Sequence, residues 1–266
     1  MEKPERKPIS KTLRALSWLA ESSTPEVGVR QLAAAMNIAP SSAHRILLAL
    51  SEAGFVRQDG RTQRYALGNE FLRLSHLAIA KAPLRQAGAE AMRRLVETCD
   101  ESALLGIYDD ARQEMIYAAS VDSKHSSQRA IQLNKWIPVR TGASGLAILA
   151  FLKEAEAGSI VQRLALLAPG GAGGVGRADP EGLATELATV RRQGYAFTRC
   201  QWIAGAVGLA APIFGSHGKV LGDVCLTIPA QRLGDGSKDR LLDALRCCVS
   251  EITKTIGSTA PSLAVG

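Results

Sequence analysis

VRQLAAAMNIAPSSAHRILLALSEAGFVRQDGRTQRYAL, residues Val29–Leu67, decides the architecture of the N-terminal region. A short helical run, Val29–Met36, leads into the turn Asn37-Ile38-Ala39 and then into a second run, Pro40–Leu50. Pro40 suits the first turn of a helix, where its missing N–H is not needed. Ala43, Ile46, Leu47 and Leu50 then fall at helical spacing on one face, and Ser41, Ser42, His44 and Arg45 fall on the other, near the N-terminal end. Gly54 can stop the helix. Phe55-Val56 and Tyr65-Ala66-Leu67 flank the polar turn Gln58–Gln63, as the strands of a hairpin do. Helix, turn, helix and hairpin in this order predict a winged helix-turn-helix, whose second helix presents its opening turns to the major groove of double-stranded DNA. Ser41, Ser42, His44 and Arg45 are therefore candidate base-edge readers, and Arg57, Arg61 and Arg64 candidate phosphate contacts. A helical subdomain with solvated arginines is the plainer alternative.

Charge favours the first reading. The chain carries a net +7, and residues 1–67 hold ten Lys/Arg against six Asp/Glu, while the remaining residues hold 22 against 19. The excess concentrates where the motif lies, which fits a polyanionic partner. A length of 266 residues with 46% hydrophobic and 21% charged content suits a globular protein of two domains. The opening MEKPERKPIS lacks the apolar core of a signal peptide, and no run approaches the ~18 apolar residues of a membrane span. A cytoplasmic location without a membrane partner is expected. The five cysteines include the adjacent pair Cys247-Cys248 and form no CxxC, so reduced thiols are expected. The histidines are isolated, and neither a metal nor a cofactor is called for.

Ser10 can cap a first helix bearing Leu13, Leu16 and Ala20 on one face. After the wing ends at Gly68, Asn69–Lys81 reads as a linker helix with Phe71, Leu74 and Leu77 or Ala78 on an apolar face suited to a dimer contact. From Pro83 the texture becomes α/β. Helices are predicted over Leu84–Thr98, Gly145–Lys153, Ser159–Leu167, Pro180–Gln193 and Ser237–Ile256. Strands are predicted over Ser102–Tyr108, Glu114–Ser120, Arg129–Leu133, Gly205–Phe214 and Lys219–Ile228. The domain plan is a DNA-binding domain over 1–68, a linker helix over 69–82, an effector-binding and oligomerisation domain over 83–258, and a flexible tail over 259–266.

Two motifs invite chemistry. Gly171–Gly176 matches GxGxxG literally but lacks a preceding strand and a helix starting inside it, so a loop is the better reading. Gly142-Ala143-Ser144-Gly145 fails the GxSxG pattern of a nucleophile elbow. It reads instead as a small-residue turn entering a helix, whose exposed N–H groups can hold an anion or carbonyl.

The pieces together resemble the IclR family of bacterial transcriptional regulators. "KTLRALSWL" at Lys11–Leu19, "SSAHRILLAL" at Ser41–Leu50, "RYALG" at Arg64–Gly68, "IPVRTGASGLAILA" at Ile137–Ala150 and "GYAF…GAVGLAAPIF" at Gly194–Phe214 carry the resemblance, in order, over nearly the whole chain. It implies an α+β protein: winged helix-turn-helix, linker helix, and a GAF-like or profilin-like effector domain, assembled as a homodimer or dimer of dimers on a palindromic operator. It implies that Ala143 and Ser144 meet a small ligand, and that Thr198, Gly208, Cys225 and Thr227 face it from the central sheet. It also implies a strand pair over the last of these motifs. The chain departs from the family at Thr198-Arg199-Cys200-Gln201, where acidic residues are frequent, and at Asn134, where a glycine is usual. Arg129, Arg140 and Trp136 near the pocket mouth would suit a small organic or aromatic acid; surface solvation or loop packing is the alternative for all three. Two other functions remain open at this point: a GAF-like small-molecule enzyme or sensor with a vestigial helix-turn-helix, and an architectural DNA binder without a ligand. No convergent acid–base pair supports an enzyme, and the polar pair Cys225 and Thr227, two residues apart in an apolar strand, argues for a cavity.

Overall fold

Helical periodicity at the N-terminus resolves into three helices, α1 (Lys7–Glu21), α2 (Val29–Met36) and α3 (Pro40–Glu52). They pack through Ala15, Leu19, Leu32, Ala33, Ala43, Leu47 and Leu50. The computed structural model describes residues 7–124, 131–139, 142–166, 180–201, 204–234 and 236–257. The Gly171–Gly176 motif, Arg129, Arg140 and the tail lie outside them. The chain divides into two units, one ending at Lys81 and the other starting at Ala82.

In the first unit, Asn37 ends α2 in the left-handed conformation (φ 52°), and its N–H and that of Ile38 close onto the last turn. Asn tolerates this backbone better than most residues. Three residues later Pro40 opens α3. The wing pairs β1 (Val56–Gln58) with β2 (Tyr65–Leu67) in antiparallel register, and buried Tyr65 also exchanges two backbone hydrogen bonds with Val27. Helix α4 (Asn69–Ala80) follows and has no buried residue; Leu72, Leu74, Leu77 and Ile79 are exposed along it.

The second unit is a six-stranded antiparallel sheet between two helical layers. In chain order its elements are α5 (Pro83–Cys99), β3 (Ser102–Asp109), β4 (Glu114–Val121), β5 (Ile137–Pro138), α6 (Gly142–Leu149), α7 (Glu154–Leu166), α8 (Pro180–Gln193), β6 (Ala196–Arg199), β7 (Ala206–Phe214), β8 (Val220–Pro229) and α9 (Ser237–Thr255). The strand order is β5-β4-β3-β8-β7-β6. Alternation along the strands divides the core. Val224, Leu226 and Ile228 of β8 pack towards α5 and α9, while Cys225 packs towards α6, α7 and α8.

Three local expectations are corrected. Ile131–Leu133 forms no strand; the short strand β5 lies later, after Asn134 turns the chain (φ 58°) and donates its N–H to the Tyr117 carbonyl. Helix α6 starts at Gly142, so the Gly-Ala-Ser-Gly segment is its first turn rather than a turn before it. Helix α7 starts at Glu154, five residues before the expected start.

Candidate DNA interface and effector cavity

The exposed side of α3 carries Ser41, His44 and Arg45, while Ser42 lies half-buried on its flank. The Arg45 guanidinium makes no hydrogen bond or ion pair among the described residues, and neither does that of Arg61. Arg57 and Arg61 are exposed on the wing. Arg64 is different. Its Nη2 donates to the Glu26 carbonyl and to Gln31 Oε1, both at 2.9 Å, and so ties the wing to the start of α2. Alongside its expected phosphate contact, Arg64 thus has a bracing role that the sequence reading did not include. Asp59 was not anticipated. Its Oδ1 accepts from the backbone N–H of Thr62 (2.6 Å) and Arg61 (2.9 Å), which orders the wing loop and holds its carboxyl below the usual range. The Asp-Gly pair at 59–60 was the available signal.

In the second unit, β6, β7 and β8 place Thr198, Gly208 and Thr227 in one register row. Cys225 sits one step deeper on the same face as Thr227. These four side-chain positions line a cavity with Ala143 from the start of α6 and Tyr117 from β4. It has about 30 Å³ of room, enough for about two waters. Gly208 is what keeps it open: a Cβ there would lie 2.9 Å from the Ala143 Cβ and 3.1 Å from Thr198 Oγ1. No Lys, Arg or His is among the described lining residues.

Two candidates stand elsewhere. Trp136 is half-buried with the Arg112 guanidinium 4.7 Å above its ring, away from the cavity wall. Ser144 is fully buried behind the cavity. It forms a polar cluster with Tyr117, Cys225 and Asp223, a residue that sequence reading passed over although it shares the alternation of Cys225 and Thr227. Asp223 is fully buried, and Oδ1, Oδ2 and Ser144 Oγ have no hydrogen-bond partner among the described residues. Ser144 lies close enough to favour the charged forms of Asp223, Cys225 and Tyr117, but desolvation outweighs it in all three. Burial raises the Asp223 carboxyl to about 7 and the Cys225 thiol to about 12, and raises the Tyr117 hydroxyl well above its ordinary value.

A winged helix-turn-helix followed by a separate α/β unit defines a DNA-binding transcriptional regulator with a C-terminal effector-type domain. The model for the IclR helix-turn-helix domain matches residues 8–60, and that for the bacterial transcriptional regulator IclR C-terminal domain matches residues 76–254, so the chain belongs to the IclR family. It is 27% identical over 227 residues to the transcriptional repressor IclR of Escherichia coli, covering 85% of this chain and 81% of that protein. The IclR transcriptional regulator of Alicyclobacillus acidocaldarius shares the fold with a TM-score of 0.80 at 20% identity, over 96% of this chain and all (100%) of that one. An IclR homologue of Microbacterium hydrocarbonoxydans, solved with 4-hydroxybenzoate, has a TM-score of 0.79 at 21% identity, over 95% and 100% of the two chains. The relatives are named as transcriptional repressors and regulators, and this chain is a regulator rather than an enzyme. No helix among the described residues is long and apolar enough to cross a membrane.

Proposed function

We propose that this regulator binds a palindromic operator as a homodimer or dimer of dimers, and that a small organic or aromatic acid, for which the β6–β8 cavity has to widen, changes its operator affinity. The observation that carries this reading is the Thr198–Gly208–Thr227 row facing Ala143, which leaves a small, mainly apolar cavity with two threonine hydroxyls on its wall in an otherwise packed core. Gly142 and Ala143, the first two residues of α6, line the same cavity, and a helix N-terminus favours an anionic group. The 4-hydroxybenzoate bound by the Microbacterium homologue supports an aromatic acid as one candidate. A ligand that binds two conformations unequally must shift operator affinity by the same factor.

Gly208→Leu tests the cavity. A thermal-shift panel of central and aromatic carboxylic acids should contain compounds that stabilise the parent chain. The variant should lose that response while binding DNA as the ligand-free parent does. Equal shifts in both proteins would remove the ligand from this cavity.

On the DNA side, Ser41, Ser42, His44 and Arg45 face base edges, with Arg57, Arg61 and Arg64 on phosphates and Arg64 also positioning the wing. Arg45→Ala should cost roughly 1–3 kcal/mol at the operator, whereas Arg61→Ala should weaken all duplexes about equally and reduce the salt slope by about one. Mobility shifts at two salt concentrations distinguish these outcomes, and unchanged binding by both variants would sink the assignment.

The dimer contact is assigned to α4, whose Leu72, Leu74, Leu77 and Ile79 are exposed within one chain. Leu74→Glu would place an unpaired charge in that contact. Light scattering should then report a lower mass; an unchanged mass would move the contact elsewhere.

A further inference from the structure

Leu48 stands on the polar side of α3. The buried side is Ala43, Leu47 and Leu50, with Ile46 at its margin. Opposite it, Ser41, His44, Arg45 and Leu48 recur at intervals of three, one and three residues, which sets them in one strip along the helix. All four are exposed, and Leu48 keeps 47% of its surface accessible. A single exposed leucine is ordinary on a protein surface. This one shares its strip with Arg45 and its domain surface with Arg57 and Arg61, so the strip suits a polyanion better than an apolar protein face. Glu52, also exposed one turn further on, opposes phosphate and ends the DNA-facing part of the strip at Leu48.

Ser41, His44 and Arg45 can exchange hydrogen bonds with base edges. Leu48 has no polar group to offer. The major groove presents one apolar group, the 5-methyl of thymine, and leucine is of a size to cover it. We infer that Leu48 is a further specificity-determining residue of the regulator, resting on a thymine methyl in each half-site and disfavouring cytosine there. This rests on the reading of α3 as the recognition helix.

The test uses the full-length protein to select duplexes from a random-sequence pool. Each thymine of the selected sequence is then replaced by deoxyuracil, which removes only the methyl group. At one position per half-site the replacement should weaken binding about fourfold, as expected for losing one buried methyl. Leu48→Ala should erase that difference and bind thymine and deoxyuracil duplexes equally. Deoxyuracil that is neutral everywhere, or a penalty that persists in Leu48→Ala, overturns the inference. A lower oligomer mass for Leu48→Ala also overturns it, because Leu48 would then contact a second copy of the chain. Arg45→Ala separates the two levels. If it binds the selected duplex like the parent, the recognition-helix reading fails and takes Leu48 with it. If it binds more weakly while deoxyuracil is neutral, only the Leu48 assignment fails. A pool that enriches no sequence overturns both.

Discussion

Gly106→Ala is expected to destabilise the C-terminal unit severely. Gly106 lies opposite Asp223 in the β3–β8 ladder, and a Cβ on it would come within 2.0 Å of Asp223 Oδ1 and 2.9 Å of the Met115 Cε. The methionine can swing away, but the carboxyl belongs to the neighbouring central strand and is enclosed on every side. Overpacking a core costs roughly 1–3 kcal/mol, and a contact this close belongs at or above the upper end. The cause is a single pair, so Asp223→Ala in the same chain should restore most of the loss. Urea denaturation followed by circular dichroism checks both variants. A double variant no more stable than Gly106→Ala would show that the clash lies elsewhere.

Asp223→Asn should remove a pH dependence from the parent chain. The folded carboxyl titrates near 7 because burial disfavours its charged form, whereas the unfolded one keeps its ordinary value of 3.8. Below that value both states hold the proton, and the group adds no pH dependence. Between 3.8 and about 7 only the folded state holds it, so stability falls as pH rises. Above 7 both states are ionised, and the loss, on the order of 4 kcal/mol, is complete. An amide carries no such charge. The variant should therefore lose less stability than the parent between pH 5 and pH 8 in denaturant titrations. Parallel profiles would mean that Asp223 is solvated or paired in solution.

The N-terminal unit was legible because its signals are local. Asn37, Pro40 and Gly54 mark the helix boundaries, and the 3.6-residue period fixes which side of α3 is buried. Arg64 escaped because a guanidinium bonded to Glu26 and Gln31, more than 30 positions earlier, looks in sequence like any other basic wing residue. In the C-terminal unit the period of two placed Cys225 and Thr227 on one face. The register that joins them to Gly208 and Thr198 is set by strand pairing across the sheet, and only the family resemblance brought those residues in. The start of α6 was read late because Gly142 and Gly145 are poor helix formers; burial of every residue from 143 to 149 overrides that preference. Asp223 was overlooked for a different reason. A charged residue inside an apolar strand is normally taken to mark its edge or a turn, and here it sits at the centre of the sheet.

Strand β8 writes two messages in alternate letters. Residues 223, 225 and 227 address the cavity side, while 224, 226 and 228 hold the layer formed by α5 and α9. Substitutions in the first set can alter what the cavity accepts without disturbing the second. A lineage built on this sheet can therefore drift towards new chemical signals by small edits to one reading frame, while the other preserves the body that carries them.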